Sequence, residues 1–244
     1  MAHSREIRPH AYEIKFVVPA SVGTRIQHWA RTNLEPDPHG GGPFGDEYRT
    51  ASVYFDNDTL DVFHRRGSNG RSKYRIRRYG DAGLVFLERK MRQPAVLAKR
   101  RTCTPLAHLD HLTRDDVDEA WVGHWFHRRL LARKLAPACQ VTYARTARCT
   151  VRDGEAVRLT LDADLAVQAV GGIGFAAGAG TPILDDRMIL ELKYRGTMPA
   201  LFRRLVEEFA LTPQVASKYR LGRAALGVAS PRPRQANGAE ASYA

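Results

Sequence analysis

The chain has 244 residues, 43% of them apolar, with a formal net charge of +12 and an isoelectric point near 10.0. That length builds one sizeable domain or two small ones, and the apolar fraction excludes a natively disordered chain. The charge calls for an anionic partner, which leaves nucleic acid, a membrane surface or a phosphate-rich small molecule. Cys103, Cys139 and Cys149 show no paired spacing, so neither a disulfide framework nor a zinc site is expected, and the compartment is read as reducing. The polar first ten residues hold no apolar signal core, and no apolar run reaches membrane-spanning length. A soluble cytoplasmic protein without a membrane partner is therefore expected.

Residues 12–19 alternate, with Glu13 and Lys15 on one face and Ile14, Phe16 and Val18 on the other. Pro19 closes this strand, and Ser21 is placed to cap a helix reaching about Asn33. A Gly/Pro loop over 36–45 leads to a strand over 48–56 and a short helix or turn to about Arg66. After the turn 67–70 comes Lys73-Tyr74-Arg75-Ile76-Arg77, a strand with three cations on one face and apolar residues on the other. Strands over 84–92 and 96–104 follow, split at Gln93-Pro94, with Glu88 and Lys90 on one shared face and Lys99 and Arg101 on another. Asp115 and Asp116 suit a helix N-terminus, and the spacing of Val117, Trp121, Val122, Trp125 and Leu131 predicts one long amphipathic helix to Arg133. His124 and His127 have a metal-compatible spacing but no evident partner, which assigns them a surface or interface role.

Strands return at 140–150 and 156–165 around the turn Arg152-Asp153-Gly154, with Arg145 on the first and Arg158, Thr160 and Asp162 sharing a face of the second. Gly172-Ile173-Gly174 lacks the strand–turn–helix setting and third glycine of a dinucleotide fingerprint. The last strand, 188–194, places Glu191 and Lys193 together, and helices are expected over 199–209 and from about Val215, the latter carrying Ser217, Lys218 and Tyr219. The small-residue and proline content beyond residue 229 predicts a disordered tail after a single domain.

Two patterns give these strands a function. Only seven of the 38 basic residues are lysine, and six of them (Lys15, Lys73, Lys90, Lys99, Lys193 and Lys218) fall in the charged stretches. A compact ammonium and a planar guanidinium are not interchangeable, so this placement reads as chemical choice. In addition, Glu13/Lys15, Glu88/Lys90 and Glu191/Lys193 set acids beside bases, which suits phosphates together with a divalent metal. A charged strand face is ordinarily just wet. Here the opposite faces are apolar enough to need covering, so closing the strands into a barrel would aim the charges into a lumen. Little water would remain there to screen them, so phosphate contacts would strengthen.

Tyr12-Glu13-Ile14-Lys15-Phe16, Ser52 to Asp56, Lys73 to Arg77, Glu88-Arg89-Lys90, Lys99-Arg100-Arg101, Tyr143-Ala144-Arg145, Val157 to Asp162, Leu190 to Lys193 and Ser217-Lys218-Tyr219 together resemble the VTC domain. This polyphosphate polymerase module belongs to the triphosphate tunnel metalloenzymes, the CYTH-like superfamily. The resemblance implies an α+β fold over residues 1–228, an eight-stranded antiparallel β-barrel with flanking helices. It implies transfer of the γ-phosphate of ATP onto a growing inorganic polyphosphate chain, with Mn²⁺ or Mg²⁺, and hence ATP and inorganic polyphosphate or pyrophosphate as partners. By the same resemblance Lys15, Arg75, Arg77, Lys90, Lys99, Arg101, Arg145, Arg158, Lys193 and Lys218 clamp phosphates and Ser217 assists Lys218. Glu191 would ligate the metal, with Glu13, Glu88 and Asp162 as further metal or supporting candidates. A tunnel triphosphatase and a non-catalytic polyphosphate binder are the alternatives. Nucleic acid is disfavoured, because few aromatics share the cationic faces. The oligomeric state stays open.

Overall fold

The structure, a computed structural model, describes residues 3–9, 11–93, 96–152 and 154–228. The tail after 228, Pro94 of the expected break and Asp153 of the expected turn lie outside the described residues. One antiparallel sheet organises the chain. Its strands are β1 (His3–Pro9), β2 (Ala11–Pro19), β3 (Glu35–Pro36), β4 (Glu47–Asp56), β5 (Ser72–Tyr79), β6 (Leu84–Gln93), β7 (Val96–Pro105), β8 (Ala136–Arg152), β9 (Glu155–Gln168), β10 (Thr181–Pro182) and β11 (Arg187–Arg195). Helices α1 (Ala20–Asn33), α2 (Asp61–His64), α3 (His124–Ala132), α4 (Ala200–Glu208) and α5 (Lys218–Ala225) flank it, which makes the class α+β. Every strand read from alternation is present. β1, β3 and β10 are additions, two of them only two residues long.

The main path runs β1-β7-β6-β5-β4-β8-β9-β11-β2, with β3 on β8 and β10 on β9. This corrects the expected eight-stranded closed barrel in two respects. The sheet has eleven strands, and among the described residues the edge strands β1 and β2 share no ladder. The sheet is nevertheless strongly curled. Pro9 and Ala11 end and begin the two edge strands, so two peptide steps hold their Cα atoms within about 7.6 Å. Laid flat, the nine-strand path would separate those edges by roughly 38 Å. Covalent connectivity and strand twist therefore bring the edges round towards each other.

The curl sends the apolar faces outward, where the helices cover them. Phe16, Leu159, Leu190 and Leu192 pack under α1 and α4 with Ile26, Phe202 and Leu205. Val53, Phe55, Tyr74, Ile76 and Leu87 pack under α3 with Trp125 and Phe126. A third cluster lies on the other face. Tyr54, Val141, Tyr143 and Ile189 share strand faces with the charged residues, and α2 and α5 pack against them through Val62, Phe63 and Tyr219. These two helices thus occupy one end of the curled sheet. Gly222 permits the close approach, since a Cβ there would sit 3.0 Å from the Val141 and Val167 methyls.

Two helix expectations are corrected. The long helix to Arg133 is instead a 3₁₀ segment, Leu106–Thr113, then turns, then α3 capped by Gly123. The chain before α3 is anchored at Trp121, whose indole N–H donates to Thr104 on β7, while Trp125 within α3 donates to Thr102. His127 is buried and His124 half-buried, contrary to the expected surface role, and each meets a backbone carbonyl, of Arg114 and Trp121 respectively. Ser21 does not cap α1; Pro19 holds the N-cap position with no side-chain bond. No described helix is long and apolar enough to cross a membrane.

Asp56 ties the plugged end together, accepting from the Val62 and Phe63 amides at 2.9 Å and from the Tyr219 hydroxyl. Asp56→Ala should therefore cost about 3 kcal/mol and Tyr219→Phe about 1 kcal/mol. Urea unfolding of both variants tests this ranking.

Candidate functional site

Antiparallel register sets the interior row by row. Lys73 pairs with Lys90 and Lys90 with Lys99; one step along, Arg75 pairs with Glu88 and Glu88 with Arg101. Directly opposed residues lie about 5 Å apart, so the first row is repulsive and the second is held by its central acid. Glu88, 2% exposed, takes the Arg75 guanidinium at 2.6 Å, Arg101 at 3.2 Å and Lys99 at 3.3 Å. Burial alone would raise its pKa, but Arg75, Arg77, Lys99 and Arg101 together hold it well below the carboxylate range. Glu88 is thus a charged anchor for three of the expected phosphate clamps. Arg77, also buried, donates to Ser52 Oγ at 3.1 Å.

The facing wall repeats the device. Asp162, fully buried, accepts two bonds from Arg145, at 2.6 and 2.8 Å, and an ammonium contact from Lys218 at 2.5 Å. Burial opposes its charge, yet Arg145 and Lys218 keep it ionised far below the ordinary range. Lys218 reaches it because Ser217 ends the extended segment before α5, and its hydroxyl faces the Arg220 amide as N-cap.

The third group lies where the curled sheet comes round on itself. Lys15 meets Glu13 at 3.2 Å and Glu191 at 3.0 Å, while Lys193 meets Glu191 at 2.5 Å. Lys90, from β6, spans the interior to Glu13 on β2 at 2.7 Å, although β2 is the far edge of the sheet path. This ion pair joins walls that share no ladder. Burial and the neighbouring Glu191 push the Glu13 pKa up, but Lys193, Lys90 and Lys15 outweigh them and bring it to about 2.

The expected residues therefore converge on one interior, with Arg158 nearest its rim: it bonds Asp37 at 2.7 Å and Tyr48 Oη at 3.0 Å. Four residues at that rim were not singled out in the sequence. Tyr48, Tyr79 and Phe86 form an edge-to-face chain with centroids 5.4 Å apart, and Arg101 lies 3.6 Å over the Phe86 ring. Asp37 is the fourth, brought in by the loop before β4. Tyr79 was legible, because it continues the every-second-residue series of Lys73, Arg75 and Arg77. Burial raises its phenol pKa, yet Arg77 and Arg101 bring it down to about 8. Tyr79 lies six residues from Lys73 on β5, so about 20 Å separates an aromatic end from a lysine end.

As to metal, no cluster of three His, Cys, Asp or Glu side chains forms among the described residues. Glu13 and Glu191 do converge on Lys15. Mg²⁺-type ions are commonly held by one or two carboxylates plus substrate phosphates, so this donor set fits such an ion once a phosphate chain supplies the remaining oxygens. Glu88 and Asp162 are each tied to an arginine as well as to lysine, whereas Glu13 and Glu191 pair only with ammonium groups among the described residues.

A curled antiparallel sheet around a cation-lined interior defines the class, a tunnel-type α+β protein. The VTC domain family model matches residues 10–227, and the chain belongs to that family. Among solved structures it is similar to a provisionally assigned adenylate cyclase of Bacillus halodurans, at 16% identity and TM-score 0.49, over 85% of this chain and 95% of that one. It is also similar to a provisionally assigned adenylyl cyclase of Hippeastrum described as having a dominant triphosphatase activity, at 14% identity and TM-score 0.46, over 87% and 94%. A Pyrococcus horikoshii protein matches at 14% identity and TM-score 0.45, over 86% and 97%. No curated protein matches.

The depressed carboxylates make stability acid-sensitive. Glu13 falls from 4.5 to about 2 on folding, so its contribution is complete above about pH 4.5 and is lost as pH falls towards 2. Glu88 and Asp162 shift in the same direction. Thermal unfolding should therefore be level from neutral pH to about pH 5 and drop steeply below it. Glu88→Gln should flatten that drop while lowering stability at neutral pH by about 3 kcal/mol.

Proposed function

We propose that the protein is a metal-dependent polyphosphate polymerase that moves the γ-phosphoryl group of ATP onto the end of an inorganic polyphosphate chain. The observation that carries this reading is the convergence of basic side chains from β2, β5, β6, β7, β8, β11 and α5 on one interior, where Glu13, Glu88, Asp162 and Glu191 hold Lys15, Arg75, Lys90, Lys99, Arg101, Arg145, Lys193 and Lys218 in place. Membership of the VTC domain family supports it.

Phosphoryl transfer asks the protein mainly for positioning and charge neutralisation. In this reading Arg75, Arg77, Arg101 and Arg145 hold the triphosphate as planar forks, and Lys15, Lys90, Lys193 and Lys218 neutralise the oxygens of donor and acceptor. A terminal oxygen of the acceptor chain forms the new bond to the γ-phosphorus as the bond to the β–γ bridging oxygen breaks, and ADP leaves. Glu191 and Glu13 would hold the divalent ion, which would supply positive charge to offset that of the phosphates. The substrate must first displace Lys15 and Lys193 from these carboxylates. The aromatic end at Tyr48, Tyr79 and Phe86 is suited to the nucleoside, because base faces stack on such rings.

Incubation with ATP and Mn²⁺ should yield ADP and a polymer resolved on a polyacrylamide gel. Release of inorganic phosphate without polymer would move the assignment to a triphosphatase, and no turnover with several metals would leave a binding module. Glu191→Gln should abolish turnover while retaining polyphosphate affinity. Tyr79→Ala should raise KM for ATP about tenfold and leave binding of tripolyphosphate, which has no base, unchanged.

A further inference from the structure

Of the interior lysines, Lys73 alone meets no carboxylate among the described residues. Lys15, Lys90, Lys99, Lys193 and Lys218 each pair with an acid. Lys73 instead donates from Nζ to Ser217 Oγ at 3.0 Å. The strongest charged influences on it are cations: Lys15 from β2, Lys90 from β6, Arg65 from the segment after α2 and Arg75 from its own strand. Arg65, exposed at the C-cap of α2, also bears on Arg220 of α5. Neither Arg65 nor Arg220 has a carboxylate partner among the described residues. β5 and the start of α5 thus bring the Lys73 ammonium to the Ser217 hydroxyl with no carboxylate partner for it among the described residues, whereas the other interior lysines are balanced.

We propose that Lys73 and Ser217 form an anion subsite that holds a terminal phosphoryl group of an inorganic polyphosphate at the lysine end of the interior. The proposal rests on the polyphosphate reading above and adds a subsite to the clamps already described. The geometry has a consequence for protons. Burial first, and then Lys15, Lys90, Arg65 and Arg75, bring the Lys73 ammonium down from 10.5 to about 7. At slightly alkaline pH much of Lys73 is the neutral amine. A phosphate oxygen arriving beside it favours the charged form, so Nζ takes one proton from solvent on binding. Arginine in its place would stay charged throughout and take up none.

Isothermal calorimetry of the full chain with tripolyphosphate, without metal, tests this in buffers of different ionisation enthalpy at about pH 8 and about pH 6. The wild type should take up close to one proton more than Lys73→Arg at the higher pH, and the two should agree at the lower. Comparing the two proteins cancels protons exchanged by the ligand itself. Lys73→Met should weaken binding about tenfold. Because folding costs Lys73 its ordinary basicity, Lys73→Met should not lower thermal stability at neutral pH, which separates lost binding from lost fold. Equal proton uptake by wild type and Lys73→Arg, or unchanged affinity of Lys73→Met, overturns the subsite and leaves the polymerase reading standing. Lys73-dependent uptake in a protein that makes no polymer keeps the subsite and removes the polymerase. Failure of the wild type to bind tripolyphosphate overturns both.

Discussion

Like charges driven into a poorly screened interior are the constraint from which the rest of this structure follows. At spacings of about 5 Å, a row such as Lys73, Lys90 and Lys99 is repulsive by several kcal/mol unless water or an acid intervenes. The chain answers with a few deeply buried carboxylates, each shared by two or more cations: Glu88 among Arg75, Lys99 and Arg101, Asp162 between Arg145 and Lys218, and Glu191 between Lys15 and Lys193. Removing such an acid leaves several uncompensated charges in a place where each is costly. The acids therefore act on affinity indirectly, by fixing the cations that an incoming anion meets.

That arrangement also sets a hierarchy among the carboxylates. Glu88 and Asp162 sit deepest and are committed to arginine in short, two-pronged contacts, which are geometrically demanding and hard to exchange. Glu13 and Glu191 are held mainly by ammonium groups, whose contacts are less directional and easier to trade for phosphate oxygens. Lysine and arginine are distributed accordingly. Arginine fixes the frame, and lysine occupies the positions where partners can change.

Closure is achieved by the same means. The edge strands share no ladder among the described residues, yet Lys90 on β6 reaches Glu13 on β2. Between them α2 and α5 fill one end, with Asp56 fixing both through the amides of Val62 and Phe63 and the hydroxyl of Tyr219. The position of α5 in turn delivers Ser217 and Lys218 to the interior. Packing of an apolar plug and placement of two polar side chains are one structural event.

Much of this was legible because strand alternation is a local, two-residue rule: each of the eight alternating segments formed a strand, and Lys73, Arg75 and Arg77 do oppose Tyr74 and Ile76. The long helix expected to Arg133 is confined to α3, and before it the Trp121 indole answers to Thr104 on β7, a long-range demand that helical spacing does not encode. The strand count failed because β3 and β10 are two-residue additions and β1 lies in a polar stretch. The aromatic rim was overlooked because Tyr48, Tyr79 and Phe86 come from three strands and meet only on assembly. Local sequence determined which residues face together and that the shared face would be cationic, since the pleat dictates both. Only the tertiary structure decided that this face turns inward, which acid serves which base, and that Lys73 meets none among the described residues, because those outcomes depend on how distant strands curl past each other.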